Sequence, residues 1–190
     1  FNTNILSAGG SSFAISAVAS GKADFALADT GAFVYAVAHD NITNVRAVAM
    51  VFPISPYCIV YNKAVISNFT DLAGKTLASF QGSGENPLLP IVLNKNGINP
   101  SSVTVEYFGV TLFNQELALG KVDASLATIN QLADLTPVAA TNNITLGAFM
   151  LSNYGLDVAG YALLTTTTMI SQHPQEVQNF VNATLESVLA

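Results

Sequence analysis

The chain has 190 residues, of which 51% are hydrophobic and only 9% are charged, with a formal net charge of −6 at pH 7. This length and apolar content suit one compact domain or two small lobes with a buried core, and they exclude an intrinsically disordered chain. A basic surface for nucleic acid or for an anionic membrane is excluded as well, because twelve Asp and Glu residues outnumber six Lys and Arg residues. The single cysteine, Cys58, excludes an internal disulfide and a multi-thiolate metal site.

Strands and helices alternate through the first third of the sequence. The predicted strands cover residues 4–8, 23–28, 45–52 and 57–61. The glycine- and serine-rich turn Gly9–Ser12 leads into a first helix that ends at Gly21. A second helix has Thr30 as its predicted cap and runs to about His39.

The same alternation continues from residue 70 to residue 149. The predicted strands of this part cover residues 76–80, 103–108, 122–128 and 143–149. Two predicted helices cover residues 87–94 and 111–119. Asn130 is the predicted cap of a third, short helix that stops before Pro137.

The last part of the sequence combines an extended apolar run, 158–165, with the clearest amphipathic helix of the chain. Pro174 lies in the first turn of this helix, a position that proline favours. Its predicted core stripe consists of Val177, Phe180, Val181, Leu185 and Val188.

Alternating strands and helices joined by short loops predict an α/β fold with mostly parallel sheets covered by helices. The long extended segments at 52–62 and 156–165 predict two lobes joined by two crossovers. Residues 1–57 and 160–190 would form lobe one, which is discontinuous, and residues 58–159 would form lobe two.

Five motifs, in the right order along nearly the whole chain, resemble those of type II periplasmic binding proteins. They are the stretches Ser20–Ala28, Asp71–Leu77, Asn96–Val103, Leu119–Ala124 and Ser171–Val177. Ser20–Ala28 and Leu119–Ala124 share the glycine, small residue and aspartate of an element that occurs in both lobes of such proteins. In pattern, the chain is most similar to the nitrate/sulfonate/taurine-binding proteins and to the NMT1/THI5-like proteins.

The resemblance implies an extracytoplasmic solute-binding component of an ABC-type importer, whether periplasmic, secreted or a cell-surface lipoprotein. Such a protein would bind a pyrimidine precursor, a sulfonate or a related small organic solute in the cleft between its lobes, and would dock on a membrane permease. It implies no cofactor, no metal, no nucleic acid and a monomeric state, with a dimer as the alternative if the chain is a complemented fragment. Family members usually begin with a further strand and helix and continue beyond the last motif, so the chain resembles a version shortened at both ends.

Solutes of open α/β sheets bind at the carboxyl ends of strands, close to helix N-termini. In this sequence the candidate residues lie in four such loops and at two aromatic positions: Gly10, Ser11, Ser12, Asp29, Thr30, Phe52, Gln81, Ser83, Gly84, Glu85, Asn130 and Tyr154. The turn at Gly9–Ser12 is either a solute-binding loop or an ordinary turn with a serine cap. Asp29 is either a helix-start carboxylate or an acceptor for a solute N–H group, and Glu85 either binds an amine or favours a helix start.

A catalytic constellation is not expected, because His39 and His173 are far apart in sequence and neither lies near Cys58. No arginine or lysine lies in the candidate loops, which favours a neutral or N–H-rich solute over an anion. The alternatives are an enzyme on the same fold, of a pyrimidine-precursor or menaquinone pathway, and a sensor or scaffold module.

Overall fold

The computed structural model describes residues 3–189, and its contacts divide the chain into two compact units. Unit 1 runs up to Pro53 and resumes at Ala159, and unit 2 runs from Ile54 to Val158. None of the helices in residues 3–189 has the length and apolar character needed to cross a lipid bilayer.

Helices and strands alternate in the described residues, as the sequence predicts. The strands are β1 (Phe25–Asp29), β2 (Val45–Met50), β3 (Tyr57–Asn62), β4 (Thr76–Phe80), β5 (Thr104–Phe108), β6 (Ala124–Thr128), β7 (Leu146–Met150) and β8 (Tyr161–Thr166). The helices are α1 (Ser11–Ala19), α2 (Thr30–His39), α3 (Leu89–Lys95), α4 (Phe113–Ala118), α5 (Ile129–Thr141), α6 (Thr167–Gln172) and α7 (Pro174–Leu189).

Unit 1 is built on a three-stranded sheet in the order β1-β8-β2, and both pairings are antiparallel. Its core lies between this sheet and helices α1 and α2, where Ile15 and Val18 meet Ala28, Ala162 and Leu164. On the sheet's other side, Phe180 of α7 stacks on Phe25 at a ring-centroid distance of 4.2 Å.

Unit 2 contains a five-stranded mixed sheet in the order β5-β4-β6-β3-β7. Strand β4 is parallel to β5 and to β6, whereas β3 is antiparallel to both of its neighbours. One core cluster packs helices α4 and α5 on this sheet through Leu117 and Leu135. An aromatic cluster of Tyr61, Phe69, Phe149 and Tyr154 also belongs to this unit.

The mixed α/β class is confirmed, but the prediction of mostly parallel sheets is wrong. Only the two pairings of β4 are parallel in the described sheets. The reason lies in the long extended segments. Each returns a strand, β3 or β8, into the middle of a sheet without an intervening crossover helix, and a strand that returns in this way runs antiparallel to its neighbours.

The predicted strand at 4–8 is also wrong, because residues 3–8 form no regular structure. Their apolar side chains are exposed, with Ile5 at 91% and Leu6 at 64% of full exposure. No described strand pairs with this segment, and a strand without a ladder partner gains no backbone hydrogen bonds.

Helix α5 does not stop before Pro137, as the sequence predicts, but continues through it to Thr141. Proline deprives the carbonyl four residues earlier of its donor. Here Ala133 and Pro137 are both exposed, so the carbonyl of Ala133 is not buried without a partner in the protein interior. Buried Leu135 and Ala139 anchor the helix on either side of the proline.

The predicted stripe of α7 is confirmed only in its first half. Val177 is buried, whereas Leu185 and Val188 are 37% and 46% exposed. A helix of 16 residues is about 24 Å long, and three strands about 4.8 Å apart span only about 10 Å. The helix is thus longer than the sheet is wide, and its second half is the more exposed one.

Candidate functional site

The carboxyl ends of β1 and β2 lie at one edge of the sheet in unit 1. Both strands are antiparallel to β8 between them, so β8 begins where they end. Asp29, the last residue of β1, is paired with Tyr161, the first residue of β8. We call the loops at residues 9–12, 29–31, 51–53 and 159–161 the unit 1 edge.

Asp29 is the most enclosed polar residue of the unit 1 edge. It has no exposed surface, and its backbone N–H donates to the Ser11 hydroxyl at 3.1 Å. Its Oδ1 accepts a 2.7 Å hydrogen bond from the Ala32 amide, so Asp29, rather than the predicted Thr30, caps helix α2. Its Oδ2 is buried and makes no hydrogen bond with the described residues.

Burial raises the pKa of Asp29 from 3.8 to about 6, because a carboxylate removed from water is harder to ionise. The amides of Ala32 and Gly31 favour the ionised form and oppose this shift only in part. The side chain is therefore mostly ionised at neutral pH, and its Oδ2 has no donor among the described residues.

Thr30 and Phe52 are held at the same edge by the segment that precedes β8. The Thr30 hydroxyl donates to the carbonyl of Ala159, and the Thr30 amide donates to the carbonyl of Gly160 at 2.9 Å. Gly160 in turn donates to the carbonyl of Phe52 at 2.9 Å. The ring of Phe52 makes an edge contact with Tyr161 and is 43% exposed, so it has a free surface for a flat solute.

The glycine-serine turn enters helix α1 through backbone angles that only glycine adopts readily. Gly9 and Gly10 have φ values of +69° and +135°. No side chain caps α1 at Gly10, and the first intrahelical amide bond is that of Ala14 to the Gly10 carbonyl. Ser11 is buried, Ser12 is half-buried, and their amides start the helix.

In unit 2 the carboxyl ends of β4, β5 and β6 share an edge, because these strands are mutually parallel. The predicted helix at 87–94 begins only at Leu89, so residues 81–88 form an irregular loop. We call this loop, with residues 109–112 and 128–131, the unit 2 edge.

The loop of the unit 2 edge buries a carboxyl group together with a hydroxyl group. Ser83 and Glu85 are only 2% and 5% exposed, and the Ser83 hydroxyl donates to Oε2 of Glu85. Gly84 between them is buried as well. Asn86 fixes the loop to β4, since it accepts from the Ser79 hydroxyl at 2.6 Å and donates to the Phe80 carbonyl at 2.9 Å.

Cys58 lies in β3 with no exposed surface. Burial, and to a lesser degree the charge of Glu85, raises the pKa of its thiol to about 12. The thiol is thus protonated and unreactive, which agrees with its interpretation as a small core residue.

Three other candidates lie in different surroundings. Gln81 is exposed at the start of the loop. Asn130 is exposed in the first turn of α5 and does not cap it, because Thr128 holds that position and its amide donates to Gln131 at 2.9 Å. The ring of Tyr154 stacks on Phe69 at 3.9 Å, within the aromatic cluster.

Residues 159–161 are the part of the unit 1 edge that the sequence did not reveal as candidates. They lie within the apolar run 158–165, whose pattern indicates only an extended segment, and they hold Thr30 and Phe52 through backbone carbonyls and amides. No group of His, Cys, Asp and Glu within the described residues is arranged to hold a metal ion.

A model of the NMT1/THI5-like family matches residues 2–190. The chain belongs to the NMT1/THI5-like family. A search of curated proteins found no match to this chain.

Solved structures share the fold at low identity. The alkanesulfonate-binding protein SsuA of Xanthomonas axonopodis pv. citri, bound to MOPS, has 23% identity and a TM-score of 0.69, over 94% of this chain and 60% of its own. The periplasmic aliphatic sulphonate binding protein SsuA of Escherichia coli has 17% identity and a TM-score of 0.64, over 94% and 59%. An ancestral arginine-binding protein bound to arginine has 21% identity and a TM-score of 0.60, over 91% and 69%.

These matches confirm the predicted type II periplasmic-binding-protein-like fold. This NMT1/THI5-like chain spans about three fifths of the length of the two SsuA proteins.

Proposed function

We propose that this chain is the solute-binding component of an ABC-type importer and that it acts outside the cytoplasm. The observation that carries the proposal is the family match over residues 2–190, together with a buried carboxyl group at the carboxyl ends of strands in each unit. Buried polar groups at such strand ends are a general feature of solute sites in α/β proteins.

We propose further that solute-binding residues lie in the unit 1 edge and in the unit 2 edge. Ser11, Asp29, Thr30 and Phe52 would contribute from unit 1, and Ser83 and Glu85 from unit 2. The backbone around Gly10, Ser12 and Gly84 would supply amides. Gln81, Asn130 and Tyr154 remain candidates, and of these Gln81 has the most accessible side chain.

Binding, rather than catalysis, agrees with the chemistry of the site. The buried thiol of Cys58 has a pKa of about 12 and is a poor nucleophile. His173 is 54% exposed, its Nδ1 lies 3.6 Å from Oε2 of Glu176, and it belongs to neither edge. The sulfonate- and arginine-binding structures that share the fold are named as binding proteins.

A thermal-shift screen followed by calorimetry tests this function. The purified chain is screened against sulfonates such as MOPS and taurine, amino-substituted pyrimidines, amino acids and organic anions. At least one solute is expected to raise Tm, because a ligand that binds only the folded state stabilises it.

Variants in each unit then test the contribution of each edge to solute binding. We expect Phe52→Ala and Gln81→Ala each to lower the affinity for that solute by about tenfold, which is the typical effect of losing one good contact. Val34→Ala is the control, since it removes a side chain of unit 1 that is 64% exposed and lies in the second turn of α2. A chain that binds no solute of any class, or that converts one into a product, contradicts the proposal.

A further inference from the structure

Among the described residues of unit 1, Oδ2 of Asp29 is a buried polar atom that capping and packing leave unexplained. A helix cap needs a single acceptor, and Oδ1 already provides it for the Ala32 amide at 2.7 Å. Asn or Ser would cap α2 equally well without placing a charge in a buried position. Oδ2 is nevertheless buried and has no donor among the described residues.

The position of Asp29 is fixed on several sides, so its carboxyl group does not depend on a solute for its orientation. Its backbone amide is bonded to the Ser11 hydroxyl at 3.1 Å, and its pairing with Tyr161 extends the sheet to its last residue. The next residue, Thr30, is bonded to the segment at 159–160 through both its amide and its hydroxyl. An acceptor held in this way is preorganised for a donor that approaches the edge.

No cationic side chain of unit 1 neutralises this carboxylate. Lys22 lies just ahead of β1, and Arg46 lies near the start of β2, where its Nη1 donates to the carbonyls of Thr43 and Val45 at 2.8 Å. Both are therefore at the amino ends of the strands, whereas Asp29 is at their carboxyl ends. A sulfonate at the unit 1 edge would meet a negative charge with no lysine or arginine to offset it.

We infer that Oδ2 of Asp29 accepts a hydrogen bond from an N–H group of the solute, so that the solute is an amine, an amidine or an amino-substituted ring rather than a sulfonate. This inference rests on the proposed function and narrows it to one class of solute. The uncapped amides of α1 beside Asp29 would suit a neutral acceptor on the same solute, such as a carbonyl or ring nitrogen.

Matched pairs of probes separate the two classes of solute. Benzamidine is compared with benzenesulfonate, and 4-aminopyrimidine with unsubstituted pyrimidine, alongside mass spectrometry of any solute that co-purifies with the chain. Affinities are measured by calorimetry for the native chain and for two variants. Asp29→Asn keeps a cap for α2 but removes the charge, and Asp40→Asn removes the same charge from the exposed other end of that helix.

The inference expects an N–H donor to bind the native chain and Asp40→Asn equally, and to bind Asp29→Asn about 10- to 100-fold more weakly, as for a lost bond to a buried charge. A sulfonate that binds while N–H donors do not would overturn the inference and leave the solute-binding function intact. If an N–H donor binds Asp29→Asn and the native chain with equal affinity, the inference is likewise overturned and the solute-binding function is left intact. Failure of every probe, with no co-purified solute, would overturn the proposed function and the inference with it.

Discussion

The two units each bury one carboxyl group where their strands end, but they satisfy it in different ways. In unit 1, Asp29 accepts the Ala32 amide with Oδ1, and none of the described residues donates to Oδ2. In unit 2, Glu85 accepts a hydrogen bond from the neighbouring Ser83 hydroxyl. The carboxyl group of unit 2 accepts from a side chain of its own loop, whereas one oxygen of the carboxyl group of unit 1 has no donor among the described residues.

The difference indicates which of the two buried carboxyl groups has an oxygen left to accept a further hydrogen bond. A buried polar atom without a partner costs free energy, and such atoms are rare except where a ligand completes them. In unit 1 the atom that carries this cost belongs to Asp29, which is held by the pairing of β1 with β8 in a small, wholly antiparallel sheet. Unit 2 supports its carboxyl group on an irregular loop that is tied to β4 by Asn86.

The largest expected effect comes from weakening the sheet of unit 1. Leu164 is fully buried in β8, the central strand, and Leu164→Ala should lower the free energy of unfolding by about 3 to 5 kcal/mol. Hydrogen exchange should show the loss at the amides of β1 and β2 and preserve protection in β4 and β6. Leu27→Ala is the control, because Leu27 is 49% exposed in the same unit. An equal loss of protection in both units would mean that unit 1 and unit 2 unfold together.

The next effect concerns the pH dependence of Asp29. Its pKa is about 6 in the folded chain, whereas the ordinary value of 3.8 applies in the unfolded chain. Between pH 3.8 and about 6, the folded chain therefore binds a proton that the unfolded chain has lost. Its contribution to stability is complete below about pH 4 and is lost as the pH rises through about 6, a change of about 3 kcal/mol. Asp29→Asn cannot lose a proton and should lack this change.

Urea denaturation at pH 4, 5, 6 and 7 measures that difference. The free energy of unfolding of Asp29→Asn, minus that of the native chain, should grow with pH across this range. Asp40→Asn should track the native chain, since Asp40 is exposed. Parallel curves for the native chain and Asp29→Asn would show that the carboxyl group is well solvated or has a donor, which contradicts the contrast between the units.

The smallest effect is expected when unit 2 is made to resemble unit 1. Ser83→Ala removes the hydrogen bond that the Ser83 hydroxyl donates to Oε2 of Glu85. The cost should be about 1 to 3 kcal/mol, measured as a lower Tm. Ser67→Ala, at an exposed position of the same unit, should change Tm little. If the two substitutions have the same effect, the Ser83 hydroxyl does not stabilise Glu85.

Local patterns in the sequence were sufficient for the class of fold and for most strands and helices. Strand β4, predicted at 76–80, has those bounds in the structure. The glycine at residue 21 follows the end of α1, where its φ of +72° allows the chain to reverse. These features depend on neighbours in the chain, which the sequence displays directly.

Features that depend on distant residues were not accessible from the sequence. The direction of β8 follows from its place between β1 and β2, which are more than 100 residues away along the chain. The segment at 3–8 has the composition of a strand and lacks a described partner. The choice of Asp29 over Thr30 as a cap depends on which side chain reaches the Ala32 amide.

The candidate loops illustrate the same limit. Glycine and serine at the ends of strands indicate where a solute would approach, and this reasoning pointed to Ser11, Asp29 and Ser83. It could not reveal that the Ser83 hydroxyl donates to Glu85, or that Oδ2 of Asp29 has no donor among the described residues. That distinction requires positions of single atoms, and it is the one on which the choice of solute depends.

The enclosed thiol of Cys58 makes the native protein a convenient background for optical work. The sequence contains one cysteine, and its pKa of about 12 keeps it inert toward maleimide dyes at neutral pH. A cysteine introduced at an exposed edge position, for example by Gln81→Cys, would carry the label alone. Such a chain would test by fluorescence whether a solute reaches the unit 2 edge, without any prior removal of native thiols.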